Sequence, residues 1–218
     1  MENKVLILLG LPGSGKGTQA KLLRERFGFT YMGSGDLLRA RKKIDDFTGN
    51  KIAGVMDKGD RIPTHIITKI WMEKFEEFEK KGFNGLIIDG SPRTVPEKDL
   101  IEGALDWYGW AENKKVILVD ISSEESVIRL TKRRNCKECK RPIPFVGEFK
   151  NMEKCPDCGG ELIGRIDDNE EGVRARLGWF KTDVQPVIDA YEKEGELIRV
   201  NGEQSIENVF KDILEAIK

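Results

Sequence analysis

The stretch Gly10-Leu-Pro-Gly-Ser-Gly-Lys-Gly-Thr18 constrains this chain more than any other. It is preceded by Val5-Leu-Ile-Leu-Leu9, an apolar run that reads as a buried parallel strand, and followed by Gln19–Phe27, whose apolar residues recur at helical spacing. In this order, strand, glycine-rich turn and helix make a cradle for a polyphosphate. The glycines let backbone N–H groups turn inward, and the helix N-terminus adds positive potential. Lys16 brings a mobile point charge for the outer phosphates. Gly13, Ser14, Gly15, Lys16, Gly17 and Thr18 are therefore candidate ligands of a nucleoside triphosphate. The plainer reading is an ordinary glycine-rich turn between a strand and a helix.

Composition limits the rest. At 218 residues the chain can build one core with a small inserted module. Its formal net charge is −1, with 34% charged and 39% hydrophobic residues, which gives no general pull toward nucleic acid or membranes. The N-terminal apolar run is too short to span a bilayer and no signal-peptide cleavage region follows it, so a cytoplasmic location is expected. The single histidine, His65, excludes chemistry built on several histidines and reads as a helix-surface residue.

Along the chain, Phe29–Met32 reads as a second strand, and a helix is expected to start at Ser34 as N-cap with Asp36 in its first turn. Further helical stretches fall near 36–43 and 50–58. Thr64–Lys81 is amphipathic, with Ile66, Ile67, Ile70, Trp71, Phe75 and Phe78 on its apolar stripe. Gly85-Leu-Ile-Ile-Asp89 is a strand ending in an acid, which beside a phosphate loop is well placed to order magnesium-bound water. Alone, Asp89 could equally be a turn residue. Lys115–Ile121 is the next clear strand and Glu124–Arg134 the next helix. A long helix is expected to run to about Glu194, then a strand over Leu197–Gly202 and a closing amphipathic helix. Such alternation predicts an α/β fold with a doubly wound five-stranded parallel sheet.

Two cysteine pairs, Cys136-x-x-Cys139 and Cys155-x-x-Cys158, are separated by fifteen residues and include every cysteine in the chain. That spacing reads as a four-thiolate structural zinc site. Iron at four thiolates and a pair of disulfides are the alternatives.

Taken together, Gly10–Thr18, Ser34-Gly-Asp-Leu-Leu-Arg-Ala40, Asp89-Gly-Ser-Pro-Arg-Thr94, Gly164-Arg-Ile-Asp-Asp-Asn-Glu-Glu171 and Val173-Arg-Ala-Arg-Leu177 resemble the corresponding segments of the adenylate kinases, in their long-lid form with a zinc knuckle. The resemblance covers essentially the whole chain. It implies a P-loop NTPase-type core over 1–33, 65–131 and 169–218, with two inserted mobile modules: an acceptor-binding module over 34–64 and a zinc-binding lid over 132–168. It implies transfer of phosphate from ATP·Mg²⁺ to AMP, giving ADP, by a monomer with no nucleic-acid or membrane partner. Lys16, Arg93, Arg133, Arg165 and Arg176 would be catalytic. Arg129, Arg133 and Gly202 would join the loop in binding ATP. Ser34, Arg39, Ile62, Gly90, Arg93, Glu97, Arg165 and Arg176 would bind AMP. Asp89 would hold Mg²⁺ through water, Asp167 and Asp168 would help close the lid, and the four cysteines would carry structural Zn²⁺.

Three departures fall together on acceptor recognition. Ser91 stands for the usual Phe, Arg61 for an apolar residue, and Glu97 for Gln. A glutamine amide matches both the amino donor and the ring-nitrogen acceptor of adenine, whereas a carboxylate accepts only. Guanine, with two neighbouring donors, suits a carboxylate better. Either the acceptor carries another base, guanine or a pyrimidine, or Glu97 turns into solvent and backbone contacts read adenine; the remaining motifs favour AMP. A different class of reading, a zinc-ribbon nucleic-acid binder using the loop as an ATP switch, draws on the basic run Arg129–Arg141 and is opposed by the near-neutral net charge.

Overall fold

The computed structural model describes residues 4–164 and 168–218. Five parallel strands form its centre: β1 (Lys4–Leu9), β2 (Thr30–Gly33), β3 (Gly85–Asp89), β4 (Lys114–Asp120) and β8 (Leu197–Asn201), in the order β2-β3-β1-β4-β8. Parallel strands need crossover connections, so helices cover both faces and the strands are buried on both sides. Accordingly β1 is apolar throughout. Val5, Ile7 and Leu9 enter one core with α4 (Thr64–Lys81), α5 (Val95–Trp107) and α8 (Gln185–Lys193). Leu6 and Leu8 enter the other, with Leu23 of α1 (Lys16–Phe27) and Val209 and Ile213 of α9 (Ile206–Ala216).

Two segments stand apart from this frame. Helices α2 (Ser34–Arg41) and α3 (Phe47–Asp57) lie between β2 and α4, and the Asp46 side chain caps α3 by accepting from Gly49 N at 2.7 Å. After α6 (Ser123–Thr131), three short strands, β5 (Arg134–Cys136), β6 (Pro142–Ile143) and β7 (Leu162–Gly164), pair antiparallel in the order β6-β5-β7.

Four local expectations are corrected. Ser34 is not an N-cap: Gly33 occupies that position without a side-chain cap, and Ser34 is buried as the first residue of α2. Helix α3 begins at Phe47, earlier than position 50, because Asp46 caps it. Helix α6 ends at Thr131, since Arg134 is already paired with Ile143 and Gly164 in the small sheet. The long helix to Glu194 is divided into α7 (Glu170–Trp179), a π-helical turn over Phe180–Val184, and α8, in which Pro186 lies in the first turn and lacks the N–H that a continuous α-helix would use. His65 is exposed on α4, as expected.

Candidate active site

The glycine-rich loop lies at the carboxyl end of the central strand β1. Gly10 has φ 143, and a Cβ there would collide with the Val119 carbonyl of β4, so only glycine lets the loop leave the sheet here. The loop is tied to α6 by Ser126 Oγ, which donates to Pro12 O at 2.6 Å. Gly15 precedes α1, whose first turn carries Lys16, Gly17 and Thr18. Lys16 Nζ donates to Gly10 O at 2.7 Å, to Leu11 O at 3.0 Å and to Ser14 Oγ at 3.3 Å, so the ammonium is folded over the loop. Removal from bulk solvent lowers the Lys16 pKa. The Asp89 carboxylate opposes that shift, and the Arg93 and Arg133 guanidiniums add to it.

Asp89 ends β3, next to β1 in the sheet. Its Oδ2 accepts from the Tyr31 hydroxyl at 2.9 Å, and a Cβ on Gly17 would lie 4.0 Å from the same oxygen. Burial, then the Asp89 charge and hydrogen bond, push the Tyr31 pKa well above its usual value, so the hydroxyl remains a donor at neutral pH. A half-buried carboxylate beside the loop, with one oxygen held by a neutral donor, suits a hydrated Mg²⁺ bound through water.

A cavity of about 340 Å³ brings the two motifs together: its lining includes Gly10 and Lys16 from the loop, Gly90 and Arg93 after β3, and Arg176 from α7. Arg93 Nε donates to Gly90 O at 2.8 Å, which lays the guanidinium across the cavity floor. Burial lowers the Arg93 pKa, Glu97 and Asp89 raise it, and Arg61 and Arg39 lower it further. Arg39 is paired with Asp36 on the exposed side of α2.

A second cavity, about 210 Å³, adjoins the first through Arg61, Ser91 and Arg93. Leu38, Ile62 and Ile67 form its apolar walls, and Ser34, Ser91 and Glu97 its polar ones. The Ser34 and Ser91 hydroxyls are in direct contact. All three departures noted above therefore line one pocket. Glu97 does not turn into solvent: it is 5% exposed, and its Oε2 accepts from Arg93 N at 2.7 Å. The reason is local. Thr94 caps α5, and the fourth residue of this turn is held back against the Arg93 amide. Arg61 is ion-paired with Asp183 of the π-helical turn. Asp183, like Tyr31, carried no motif; its role depends on a π turn that sequence spacing does not announce.

On the donor side Arg129 is buried, with Nε on Glu125 Oε1 at 2.7 Å and Nη2 on Gly202 O at 2.9 Å, so Arg129 and Gly202 meet. Arg133 makes a fork to Asp168, Nε to Oδ2 at 2.8 Å and Nη2 to Oδ1 at 2.9 Å, and Arg176 Nη2 donates to the same Oδ1 at 2.6 Å. Asp168 thus gathers two cations expected to meet phosphate. Arg165 and Asp167 lie outside the described residues.

Away from this cleft, the four cysteine sulfurs all lie within 4.8 Å of one another, and none is in a disulfide. Cys136 and Cys158 Sγ are 3.4 Å apart, and Cys139 and Cys155 Sγ 3.6 Å. Tetrahedral Zn–S bonds of about 2.3 Å would separate the sulfurs by about 3.8 Å, close to what is found. A Cβ on Gly160 would lie 2.8 Å from Glu138 Cγ and 2.9 Å from Cys136 Sγ, so glycine lets the second turn pack closely on the first.

A parallel sheet with a phosphate-cradling loop at the end of its central strand and an acid ending the neighbouring strand defines a P-loop nucleotide-binding fold. Residues 8–196 match the family model described as Adenylate kinase. Among similar proteins, the adenylate kinase of Archaeoglobus fulgidus is 40% identical over 221 residues, covering 98% of this chain and 99% of its own. That of Thermotoga neapolitana is 38% identical over 218 residues (97% and 96%), and that of Chlamydia trachomatis serovar L2 36% over 223 residues (97% and 89%). The chain belongs to the adenylate kinase family.

Proposed function

We propose that this protein transfers the terminal phosphoryl group of ATP·Mg²⁺ to AMP, reversibly, giving two ADP. The observation that carries the reading is the 340 Å³ cavity, which gathers Lys16, Arg93 and Arg176 between the donor loop and the acceptor pocket. In the reaction the bond from the γ-phosphorus to the bridging oxygen breaks, and a bond to an AMP phosphate oxygen forms. The attacking oxygen is already anionic, so no general base is needed. What the protein supplies is alignment and cationic stabilisation. Lys16 covers the outer phosphates of ATP, Arg93 holds the AMP phosphate, and Arg133 and Arg176, held in place by Asp168, neutralise charge as it spreads over the moving group. Arg129 and Gly202 flank the donor base; Ser34, Arg39, Ile62 and Gly90 shape the acceptor site. Mg²⁺, held through water at Asp89, would neutralise charge on the phosphates.

In this reading residues 34–64 and 132–168 close over the core and exclude water, which would otherwise take the phosphoryl group. The small antiparallel sheet and its four thiolates support a separate lid held by structural zinc. Among the described residues no helix is long and apolar enough to cross a membrane, and the net charge of −1 suits small nucleotides better than nucleic acid as substrates. An assay of ADP formation with ATP·Mg²⁺ against AMP, GMP, CMP and UMP tests the reading. AMP should be strongly preferred, and absence of turnover with all four overturns it.

A further inference from the structure

The Watson–Crick edge of adenine offers an amino donor at N6 beside an acceptor at N1. The polar end of the acceptor pocket is a carboxyl group, Glu97, where an amide would match both. A carboxylate oxygen facing N1 opposes two lone pairs beside a side chain that is itself buried, an unfavourable arrangement that one proton removes. We propose that this pocket binds the adenine of AMP together with one proton taken from solvent, held between Glu97 and ring nitrogen N1. The inference rests on the acceptor-site reading above.

The surroundings say where the proton sits. Oε2 already accepts the Arg93 N–H at 2.7 Å, which marks it as an acceptor that can take a second donor, the N6 amino group. Oε1 has no hydrogen-bond partner among the described residues and is left to carry the proton toward N1. The charged groups around Glu97 are Arg93, from the turn between β3 and α5, and Arg61, from the connection between α3 and α4; both favour the ionised form. Arg61 is offset by its ion pair with Asp183. From α2 come Ser34 and Leu38 and from α4 Thr64 and Ile67, none of which titrates in the relevant range. Lys98, the next residue on α5, is engaged with Glu194. Burial outweighs the arginines and already pushes the Glu97 carboxyl above its usual range. An AMP phosphate on Arg93 would offset the cation that most favours the carboxylate, so base, phosphate and proton bind cooperatively.

Titration of AMP into the full-length protein by calorimetry at pH 8, in two buffers of different ionisation enthalpy, counts the protons exchanged. At that pH the free AMP phosphate is fully ionised and adds nothing to the count. Wild type should take up close to one proton, and its AMP affinity should fall roughly tenfold per unit between pH 7.5 and 8.5. E97Q, which supplies the N1 donor itself, should take up none and bind AMP with little pH dependence. GMP, whose N1–H and N2 amino group are neighbouring donors, should bind wild type without proton uptake. A wild-type count near zero with normal ATP–AMP turnover overturns this inference alone. AMP that neither binds nor turns over at any pH overturns the functional reading with it. The wild-type count decides the matter even if E97Q does not fold.

Discussion

Arg93 offers the sharpest single perturbation. Its Nε is committed to Gly90 O at 2.8 Å, which leaves both terminal nitrogens for the acceptor phosphate. Two charge-assisted hydrogen bonds at about 1.5–3 kcal/mol each come to about 3–6 kcal/mol, and in a cleft that excludes water they should be felt mostly at the transition state. Arg93→Ala should therefore lower kcat/KM for AMP by roughly 10²–10⁴. The fold should survive. The side chain makes one hydrogen bond, to Gly90 O, and the attraction of Glu97 and Asp89 is set against the cost of burying the guanidinium and the repulsion of Arg61 and Arg39, so removing it should lose about 1 kcal/mol of bonding. For a chain of this length that corresponds to a change in Tm of no more than about 4 °C. Arg93→Lys keeps the charge but loses the fork, and should fall between wild type and Arg93→Ala. The assay is coupled ADP formation with AMP varied at saturating ATP·Mg²⁺, alongside a thermal melt. A folded Arg93→Ala protein that turns over within about fivefold of wild type would refute the assignment of Arg93 to the acceptor phosphate.

Asp168→Asn keeps the shape of a side chain that is 3% exposed but removes the charge shared by Arg133 and Arg176, so it should cost about 3 kcal/mol of stability and at least roughly tenfold in turnover; a melt and an activity profile equal to wild type would show the pairing to be incidental. Because burial raises the Glu97 pKa in the folded state, the native protein holds that proton over a pH range in which the unfolded chain has lost it. That contribution is complete below the unfolded pKa and is lost as pH rises through the folded one, so E97Q should melt above wild type at pH 7.5 and level with it at pH 4, and the opposite ordering would contradict the burial argument. Purified protein should contain one zinc per chain, and Cys139→Ser should lose it and expose the amides of 132–164 to hydrogen exchange before those of the five-stranded sheet. Undiminished metal content in that variant would exclude the four-thiolate centre.

Much of the fold was legible because it depends on local order. The apolar runs Val5–Leu9 and Gly85–Asp89 can be nothing but strands buried on two faces, and a glycine-rich turn between such a strand and a helix leaves the phosphate cradle few other shapes. The cysteine spacing was equally direct, since each pair closes its own tight turn and only the meeting of the two turns needed the tertiary structure. Helix ends were less accessible. Ser34 has the chemistry of a cap, but burial against Ser91, fifty-seven residues away, gives its hydroxyl a different partner.

The residue types needed for the chemistry were all present in the chain as written: a lysine in a glycine-rich loop, an acid ending a strand, and arginines scattered from position 39 to 176. Which of those arginines share a cavity was decided only by the crossover connections, which carry Arg93 and Arg176 to the carboxyl end of β1 beside Lys16. The same holds for Glu97. Its sequence position left solvent and pocket equally open, and the capped turn of α5 with the Arg93 amide behind it turns the carboxyl inward. Arg61 and Asp183, 122 residues apart, meet because a π turn shifts the register of the helix that carries Asp183. Charges have no period that reveals their partners. Apolar residues do, because burial acts on whole faces of a helix or strand, whereas an ion pair or a proton's place depends on two or three atoms brought together by the completed fold.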